Sequence, residues 1–439
     1  MIIMKDFNKY TLFLCLVICS LTLASCQKSK APSTAIKQEE GISLSFGYDE
    51  SALPVSGIVQ QLAMDFEAET NIHIDFEPVP DAQWRDLLKA KLMDGSAPDI
   101  FAVDSDPFSL YEKIRPDINC IDLSSEEFVS RIDTSVLASI SYESKVYGIT
   151  FPGKKIWVYS YNKSIFSELG LDIPTSYEEL KKVCQKIKDA GITPMWQVPV
   201  SSWHQVLPLF ECGPFYQSKD QDLYKKLNTN QIDIADIPDL LTIITEINEF
   251  SDLGFYGNDY FGNTLDEEMP QFARGNVAIL LEEIGWPNQL IAKYPEMDGN
   301  VGIFVMPWAD NQIVGINPTS NSYFGNVHSS HTEEILLFFR FLAKHENLQK
   351  RLDGDPHSLE VCWPEIKSHY PAEYIKYLSG FESGIVMQAG VSYIDSQWME
   401  IGEDIEKMYA NLMTPQEVLN EISKRREKLA KMLDDPYWR

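Results

Sequence analysis

From residue 42 onwards, segments in which every second residue is apolar alternate with segments in which every third or fourth residue is apolar. Residues 42–46 and 72–76 alternate apolar with polar side chains, which predicts strands, whereas apolar side chains recur every three to four positions in residues 58–69 and 82–93, which predicts helices. A short apolar run at 98–103 predicts a third strand. The order strand, helix, strand, helix, strand indicates an α/β fold with a parallel sheet flanked by helices.

A second set of elements begins near residue 150. Residues 156–161 and 301–306 have the pattern of strands, and residues 177–190 and 333–343 have the periodicity of helices. A last helix is predicted to start at Thr414, because threonine followed by proline and then glutamate at the third position is typical of a capped helix start. The length of 439 residues agrees with two or three domains.

Acidic residues follow two of the predicted strands directly. These are the loops Tyr48-Asp49-Glu50 and Asp104-Ser105-Asp106. Because ligands of parallel α/β sheets bind at the carboxyl ends of the strands, both loops are candidate ligand loops. The alternative for Asp49 and Asp104 is structural, since an aspartate after a strand often caps the next helix.

The N-terminus has the design of a secretory signal, predicted at residues 1–25. Lys5 and Lys9 precede an apolar run at 10–24, which is shorter than the roughly 20 residues that a membrane span needs. The run ends in Leu23-Ala24-Ser25-Cys26, which resembles a bacterial lipobox and implies a lipid on Cys26. Polar residues 26–41 are then a flexible, lipid-anchored linker. The alternative is an ordinary signal peptide with an incidental cysteine.

Charge restricts the class of partner. The formal net charge is -28, with 65 acidic and 37 basic residues, which argues strongly against binding to a phosphate backbone. A neutral or cationic ligand is compatible with this charge. No nucleic-acid partner is therefore expected.

Cysteine usage supports neither a metal site nor a disulfide framework. Beyond Cys26, the body has Cys120, Cys184, Cys212 and Cys362, and none of them forms a CxxC pair. One disulfide and four buried free thiols both remain open.

The sequence segments that resemble a cofactor-binding loop or a metal site each lack a required residue. The run from Gly148 to Lys154 imitates a phosphate-binding loop, but Lys155 stands where a serine or threonine must bind magnesium, and a strand pattern follows. His328 and His331 have no third ligand nearby. No catalytic residue, metal or cofactor is predicted.

Four segments in order resemble the family 1 extracellular solute-binding proteins, which feed sugars and oligosaccharides to ABC importers. The resemblance covers nearly the whole chain after residue 42. The segments are Ala97–Asp104, Lys145–Pro152 continuing to Asn162-Lys163, Phe272–Ile279 ahead of Gly285-Trp286, and the helix start at Thr414.

The resemblance implies a periplasmic-binding-protein-like fold of type II, with two α/β lobes that close about a hinge. Lobe 1 is expected at 42–150 plus 302–362 and lobe 2 at 151–301 plus 363–439. Chain crossings are expected near 147–152, 298–306 and 360–372. The resemblance also implies a monomer on the extracellular face of the cell membrane that delivers its ligand to ABC permease subunits and is not an enzyme.

Ligand residues follow from the same resemblance, because aromatic rings stack on sugar faces and carboxylates accept from hydroxyls. Positions that match the family, together with a tryptophan cluster after Gly191, give a predicted ligand site of Asp49, Glu50, Asp104, Asp106, Lys155, Trp196, Trp203, Trp286 and Trp398. A core position is the alternative for a tryptophan, and a solvated surface position is the alternative for Lys155.

Two other function classes stay open from the sequence. A binding protein for a polyamine or a peptide would also suit the acidic loops and aromatic residues. A secreted glycoside hydrolase would use paired carboxylates, but among 65 acidic residues some pair always exists. Residues 199–265 match the family poorly, so the sequence predicts neither the sugar nor its chain length.

Overall fold

Two β-sheets organise the part of the chain that the structure describes, which in this computed structural model comprises residues 41–50, 52–105, 110–318, 320–355 and 358–438. The predicted signal, nearly all of the predicted linker with Cys26, and Asp106 lie outside the described residues. The strands are β1 (Ile42–Asp49), β2 (Ile72–Val79), β3 (Ile100–Ser105), β4 (Ser141–Tyr142), β5 (Lys145–Val146), β6 (Gly148–Thr150), β7 (Trp157–Asn162), β8 (Thr193–Met195), β9 (Val277–Glu283), β10 (Val301–Phe304), β11 (Ile313–Ile316), β12 (Ser320–Gly325) and β13 (Glu382–Ile385).

Helices pack on the sheets and occur along the whole described chain. They are α1 (Ile58–Thr70), α2 (Asp81–Asp94), α3 (Leu110–Ile114), α4 (Pro116–Asn119), α5 (Thr134–Leu137), α6 (Lys163–Glu168), α7 (Tyr177–Asp189), α8 (Ser202–Glu211), α9 (Gly213–Lys219), α10 (Leu223–Asn228), α11 (Pro238–Asp252), α12 (Leu265–Ala273), α13 (Trp286–Lys293), α14 (Thr332–Leu342), α15 (His345–Asp353), α16 (Ala372–Leu378), α17 (Met387–Gly390), α18 (Trp398–Tyr409) and α19 (Pro415–Met432). Within the described ranges, no helix combines the length and the apolar character that a membrane crossing requires.

The first sheet has the order β2-β1-β3-β12-β6. Strand β1 runs parallel to β2 and β3, which confirms the predicted strand–helix–strand pattern, and β12 runs antiparallel to both β3 and β6. Alternation along β1 buries Leu44 and Phe46 in the first hydrophobic core, where the Phe46 ring contacts those of Phe76 and Tyr323. The carboxyl ends of β1 and β3 therefore share one edge of the sheet.

The second sheet has the order β10-β7-β9-β8. Strand β7 is antiparallel to both neighbours, and β8 is parallel to β9. Behind this sheet lies a core in which the Trp308 indole nitrogen donates to the Tyr159 hydroxyl at 2.8 Å. The ring of Phe250 packs on Trp308 with centroids 4.8 Å apart. Each sheet thus has its own hydrophobic core, and the predicted α/β class with two lobes is confirmed.

Three segments connect the two lobes. They are the segment between β6 and β7, the segment between β11 and β12, and the segment that contains Val361 and leads to α16. The segment between β6 and β7 is central, because Pro152 bridges to Val361 and Lys155 bridges to Asn317. The crossing that was expected near 298–306 lies later, between β11 and β12. The reason is that β10 pairs with β7, with Phe304 opposite Tyr159, so the chain stays in the second sheet past the predicted boundary at residue 302.

The four cysteines of the body are all buried and free. Burial raises the pKa of the thiols of Cys120, Cys184, Cys212 and Cys362, which keeps them protonated and inert. Among the described residues, no group of three or more His, Cys, Asp or Glu side chains is arranged to hold a metal ion.

Candidate functional site

A cavity of about 440 Å³ lies between the two lobes. The first lobe contributes the loop 52–55 after β1 together with Asn321 and Arg351, and the second lobe contributes Glu283 and Tyr370. The crossing segments 152–155 and 358–360 form its floor. A ligand in this cavity would contact both lobes and the hinge at once, which is the geometry of a site that closes on its ligand.

Close backbone approach fixes the crossing segments below the cavity. The Gly153 amide donates to the Glu360 carbonyl at 3.1 Å. A β-carbon at Gly153 would lie 2.7 Å from the Glu360 β-carbon, which is too short for a real contact. Glycine at this position is therefore what lets the two segments pack side by side.

Lys155 faces acidic groups of the second lobe. Its backbone forms the bridge to Asn317, and two residues later Trp157 pairs with Glu283 across β7 and β9. Burial raises the pKa of Glu283, and the positive charge of Lys155 opposes that rise. Lysine and carboxyl together give this wall of the cavity both hydrogen-bond donors and acceptors.

Behind this wall lies the carboxyl group of Glu211, which is 1% exposed. Burial raises its pKa to about 8, although a hydrogen bond from Gln388 at 2.6 Å and the charge of Lys155 oppose the rise. At neutral pH this carboxyl group is mostly protonated. A protonated Glu211 carries no negative charge to offset that of Lys155.

Lys154 is tied to the first lobe. Its ammonium lies 2.8 Å from the Asp133 carboxylate. Burial works against ionisation of Asp133, but hydrogen bonds from Lys154 and Ser135 hold its pKa below the usual value. Burial raises the pKa of Glu360, and Lys154 opposes this too.

A second cavity of about 330 Å³ lies within the second lobe. Trp203, Trp286, Glu268, Glu282 and Lys293 are among its walls. The two glutamates share a hydrogen bond, and burial and this contact raise the pKa of Glu282 well above its usual value. Glu282 and Glu283 are neighbours on β9, so their side chains point to opposite faces and one strand end serves both cavities.

The structure distributes the predicted ligand residues over several places. Lys155 borders the cavity between the lobes, and Trp203 and Trp286 border the second cavity. In the described part of the chain, neither of these two cavities is bordered by Asp49, Glu50, Asp104, Trp196 or Trp398.

Contacts explain the positions of the remaining tryptophans. The Trp398 indole nitrogen donates to the Trp203 carbonyl at 2.9 Å, and that of Trp196 donates to the Thr264 carbonyl at 3.3 Å. Trp286 is 5% exposed and packs edge-on against Phe272, with centroids 5.3 Å apart. These rings are anchored in the second lobe, and Trp286 presents only a small part of its surface.

The acidic strand ends fall beside the cavity between the lobes. Asp49 is half-buried at the end of β1, Glu50 is exposed, and Ala52 to Val55 immediately after them form the cavity wall. Asp104 lies opposite Asn321 in the register of β3 and β12, and its carbonyl accepts from the Lys113 ammonium at 3.0 Å.

Sequence reasoning missed several cavity residues. Glu283 had a usable signal, because it ends the apolar run of β9 as Asp49 ends that of β1. Arg351, Tyr370 and Glu360 had none, since they come from a helix end and from irregular segments. Their side chains meet only through the tertiary fold.

Two α/β lobes around a cavity that both lobes line define a ligand-binding protein of the closing, two-lobed class. The sequence model of the bacterial extracellular solute-binding proteins matches residues 54–349, and the chain belongs to this family. The resemblance seen in the sequence is thereby confirmed.

Relatives and solved structures agree with this assignment. A multiple sugar-binding protein of Streptococcus mutans is 22% identical over 362 residues, which cover 80% of this chain and 82% of the relative. A binding protein of Bacillus subtilis solved in an open conformation has a TM-score of 0.73 at 16% identity, covering 90% of this chain and 99% of that one. A solute-binding protein in complex with raffinose has a TM-score of 0.68 at 16% identity, covering 91% and 100%.

Proposed function

We propose that this chain captures a carbohydrate of oligosaccharide size between its two lobes and delivers it unchanged to the permease of an ABC importer. The observation that carries the proposal is the cavity of about 440 Å³ to which both lobes and the hinge contribute side chains. Ligand contacts in both lobes stabilise the closed form more than the open one, so binding shifts the population towards closure.

The chemistry of the cavity supports a ligand rich in hydroxyl groups. Lys155 and Arg351 donate hydrogen bonds, while Glu283 and Asn321 can accept them. A sugar hydroxyl does both, so it can pair with either kind of side chain. The likeness to the multiple sugar-binding protein and to the raffinose complex supports the same class of ligand.

The second cavity supports a ligand longer than one ring. Trp203 and Trp286 offer aromatic surface there, and Glu282 and Glu283 bring the two cavities to one strand end. We keep Trp203, Trp286 and Lys155 as ligand residues of the proposal, with Asp49, Glu50, Asp104, Asp106, Trp196 and Trp398 as predicted positions near the rim.

A polyamine is the second candidate. The net charge of -28 and the carboxyl groups Glu268 and Glu282 beside two tryptophans favour it. The larger cavity adds nothing in its favour, because three basic and three acidic side chains line the described part of that cavity in equal number: Lys154, Lys155, Arg351, Glu283, Asp355 and Glu360.

The proposed attachment of the protein to the membrane depends on Cys26. We infer that a lipid on this cysteine holds the protein at the extracellular face, where a single chain acts as a monomer beside its permease. Growth with an alkyne-labelled fatty acid tests this. Label on the wild-type chain but not on Cys26→Ser is expected, and label on neither would remove the anchor from the proposal.

Ligand class is tested by thermal unfolding of residues 30–439 against raffinose, maltotriose, diacetylchitobiose, spermidine and a tripeptide. This segment contains both hydrophobic cores whole. A ligand at a hundred times its dissociation constant adds about 2.7 kcal/mol of stability, which is easily seen. A shift with a sugar that chromatography recovers intact supports the proposal. A shift only with spermidine or the peptide overturns the ligand class, and released reducing ends indicate a hydrolase.

A further inference from the structure

Arg351 is a buried cation at the wall of the cavity between the lobes. It lies in α15, is 6% exposed, and its guanidinium sits 4.7 Å from the ring centre of Phe151 and 5.9 Å from that of Tyr323. Within the described ranges, no carboxylate forms an ion pair with it, and its Nη1 nitrogen has no hydrogen-bond partner. The two rings pack against the guanidinium and leave Nη1 without a hydrogen-bond partner.

Asn321 borders the same cavity and has a hydrogen-bond acceptor without a donor. It lies on β12 two residues before Tyr323, so both side chains point to one face of the sheet. Its Oδ1 atom also has no hydrogen-bond partner among the described residues. Buried polar groups are nearly always paired in folded proteins, so a donor and an acceptor left open beside one cavity call for an explanation.

We propose that Arg351 and Asn321 form the first-lobe half of the ligand site and bind two neighbouring hydroxyl groups of a neutral sugar. This inference rests on the proposed function and names the chemistry that the ligand must carry. The guanidinium can only donate, and Oδ1 can only accept. Two hydroxyls on adjacent ring carbons satisfy both, since one accepts from Arg351 while the other donates to Asn321.

An acidic sugar fits this arrangement less well. Its carboxylate would satisfy Arg351 but would place a second acceptor against the Asn321 oxygen. Glu283, Asp355 and Glu360 border the same cavity in equal number to its three basic side chains, so the described lining offers an anion no excess of positive charge. The cavity therefore selects an uncharged diol.

Closure follows from the position of this pair. Arg351 and Asn321 belong to the first lobe, and Glu283 belongs to the second. A sugar held by the first two residues on one ring edge and by Glu283 with Lys155 on the other would bridge the lobes. Loss of either half should weaken binding through the closed form.

The test uses full-length variants R351Q, R351K and N321A, titrated calorimetrically with raffinose, maltotriose and diacetylchitobiose. R426Q is the matched control, because Arg426 is also buried, also has an unpaired Nη1, and stacks 5.2 Å from Trp438 rather than beside the cavity. For the tightest sugar, R351Q is expected to bind about 30-fold more weakly, and R426Q within about twofold of wild type.

Deoxy analogues of that sugar, titrated into the wild-type chain and into R351Q, show which hydroxyl group Arg351 contacts. The analogue that lacks the contacted hydroxyl should lose affinity for the wild-type chain but little more for R351Q, because the interaction is already absent. If R351Q does not fold, R351K and N321A carry the same test, since lysine keeps the charge without the planar fork.

Sugar binding to wild type with unchanged affinity in R351K and N321A would overturn this inference and leave the proposed function intact. Tighter binding of a uronic acid than of its neutral sugar would overturn the assignment of an uncharged diol. If no sugar binds the wild-type chain, the proposed function fails and the inference falls with it.

Discussion

The Lys154 ammonium and the Asp133 carboxylate lie 2.8 Å apart and join the central crossing segment to the first lobe. Asp133 caps α5, where its side chain accepts from the Ser135 amide, and its own amide donates to the Cys362 carbonyl at 2.9 Å. Asp133 thus contacts two of the three segments that connect the lobes, one through its carboxylate and the other through its backbone amide. Through Lys154, the floor of the cavity is fixed relative to the first sheet.

Replacing Lys154 by alanine should lower the free energy of unfolding by about 1–3 kcal/mol at pH 7, because it leaves a partly buried carboxylate without its charged donor. The pKa of Asp133 lies below its usual value in the folded state, so this stability is present above the unfolded pKa of 3.8 and is lost as the pH falls through the folded value. Urea unfolding at pH 7 and at a series of pH values below 3.8 measures how the difference in unfolding free energy between the variant and wild type decreases.

Lys163→Ala is the matched control for this ion pair. Lys163 lies 3.3 Å from Glu373, whose side chain is 58% exposed, and such surface pairs contribute roughly 0–1 kcal/mol. Equal losses in the two variants, or a Lys154→Ala effect that persists in acid, would show that the pair does not stabilise the crossing.

Gly153→Ala should disturb the hinge. The added β-carbon would meet the Glu360 β-carbon at 2.7 Å and its carbonyl oxygen at 2.9 Å, so backbone must shift. Overpacking of this kind costs about 1–3 kcal/mol, and the displaced segments should also weaken ligand binding. Denaturant unfolding and a ligand titration report the two effects.

Gly285→Ala provides the comparison at the same cavity. Its φ of -80° suits any residue, and a β-carbon there would meet Leu359 no closer than 3.5 Å. This variant should keep wild-type stability. A Gly153→Ala protein as stable as Gly285→Ala would contradict the close approach of the crossing segments.

Trp286→Ala should reduce both stability and affinity. The ring is 5% exposed and packs on Phe272, so its removal leaves a cavity that costs about 3–5 kcal/mol of unfolding free energy. If its remaining surface touches ligand, affinity should fall by a further 1–3 kcal/mol or so. Unfolding curves and titrations on the folded variant separate the two losses.

Trp438→Ala distinguishes a ligand role from a core role. Trp438 is 6% exposed, which matches Trp286, but it borders neither of the two described cavities. It should lose stability and keep wild-type affinity. Unchanged affinity in both variants would restrict Trp286 to packing.

The pattern of apolar and polar residues was sufficient to predict the strands and helices at the start of the first lobe. Strands β1 to β3 with helices α1 and α2 follow from periodicity within a few residues, because each element buries one face. The start of α19 follows from side-chain chemistry, and its capping box between Thr414 and Glu417 is confirmed. The positions of the strands were therefore predictable before their partners were known.

Pairing between distant strands was not predictable in the same way. Strand β10 has the composition of a strand in either lobe, and only its contact with β7 assigns it to the second sheet. The lining of the cavity also depends on contacts between residues that are distant in sequence. Arg351 reads as a surface residue of an ordinary helix until the rings of Phe151 and Tyr323 enclose it.

Glu211 makes stability depend on pH in the direction opposite to Asp133. Burial raises its pKa from 4.5 to about 8, so the folded protein holds a proton there that the unfolded chain releases. The stabilisation is complete below pH 4.5 and is lost as the pH rises through about 8. In that window the slope from this one group reaches about 1.4 kcal/mol per pH unit.

Glu211→Gln should remove this slope, because an amide can keep the place of the protonated carboxyl beside Gln388 without titrating. Urea unfolding between pH 5 and about 8.5 measures the difference between the variant and wild type, which should grow in favour of glutamine as the pH rises. Glu50→Gln, at an exposed carboxylate, should run parallel to wild type. Parallel curves for Glu211→Gln as well would mean that this carboxyl is ionised or hydrated in the folded state, and that Lys155 shares its charge with Glu211 rather than with a ligand.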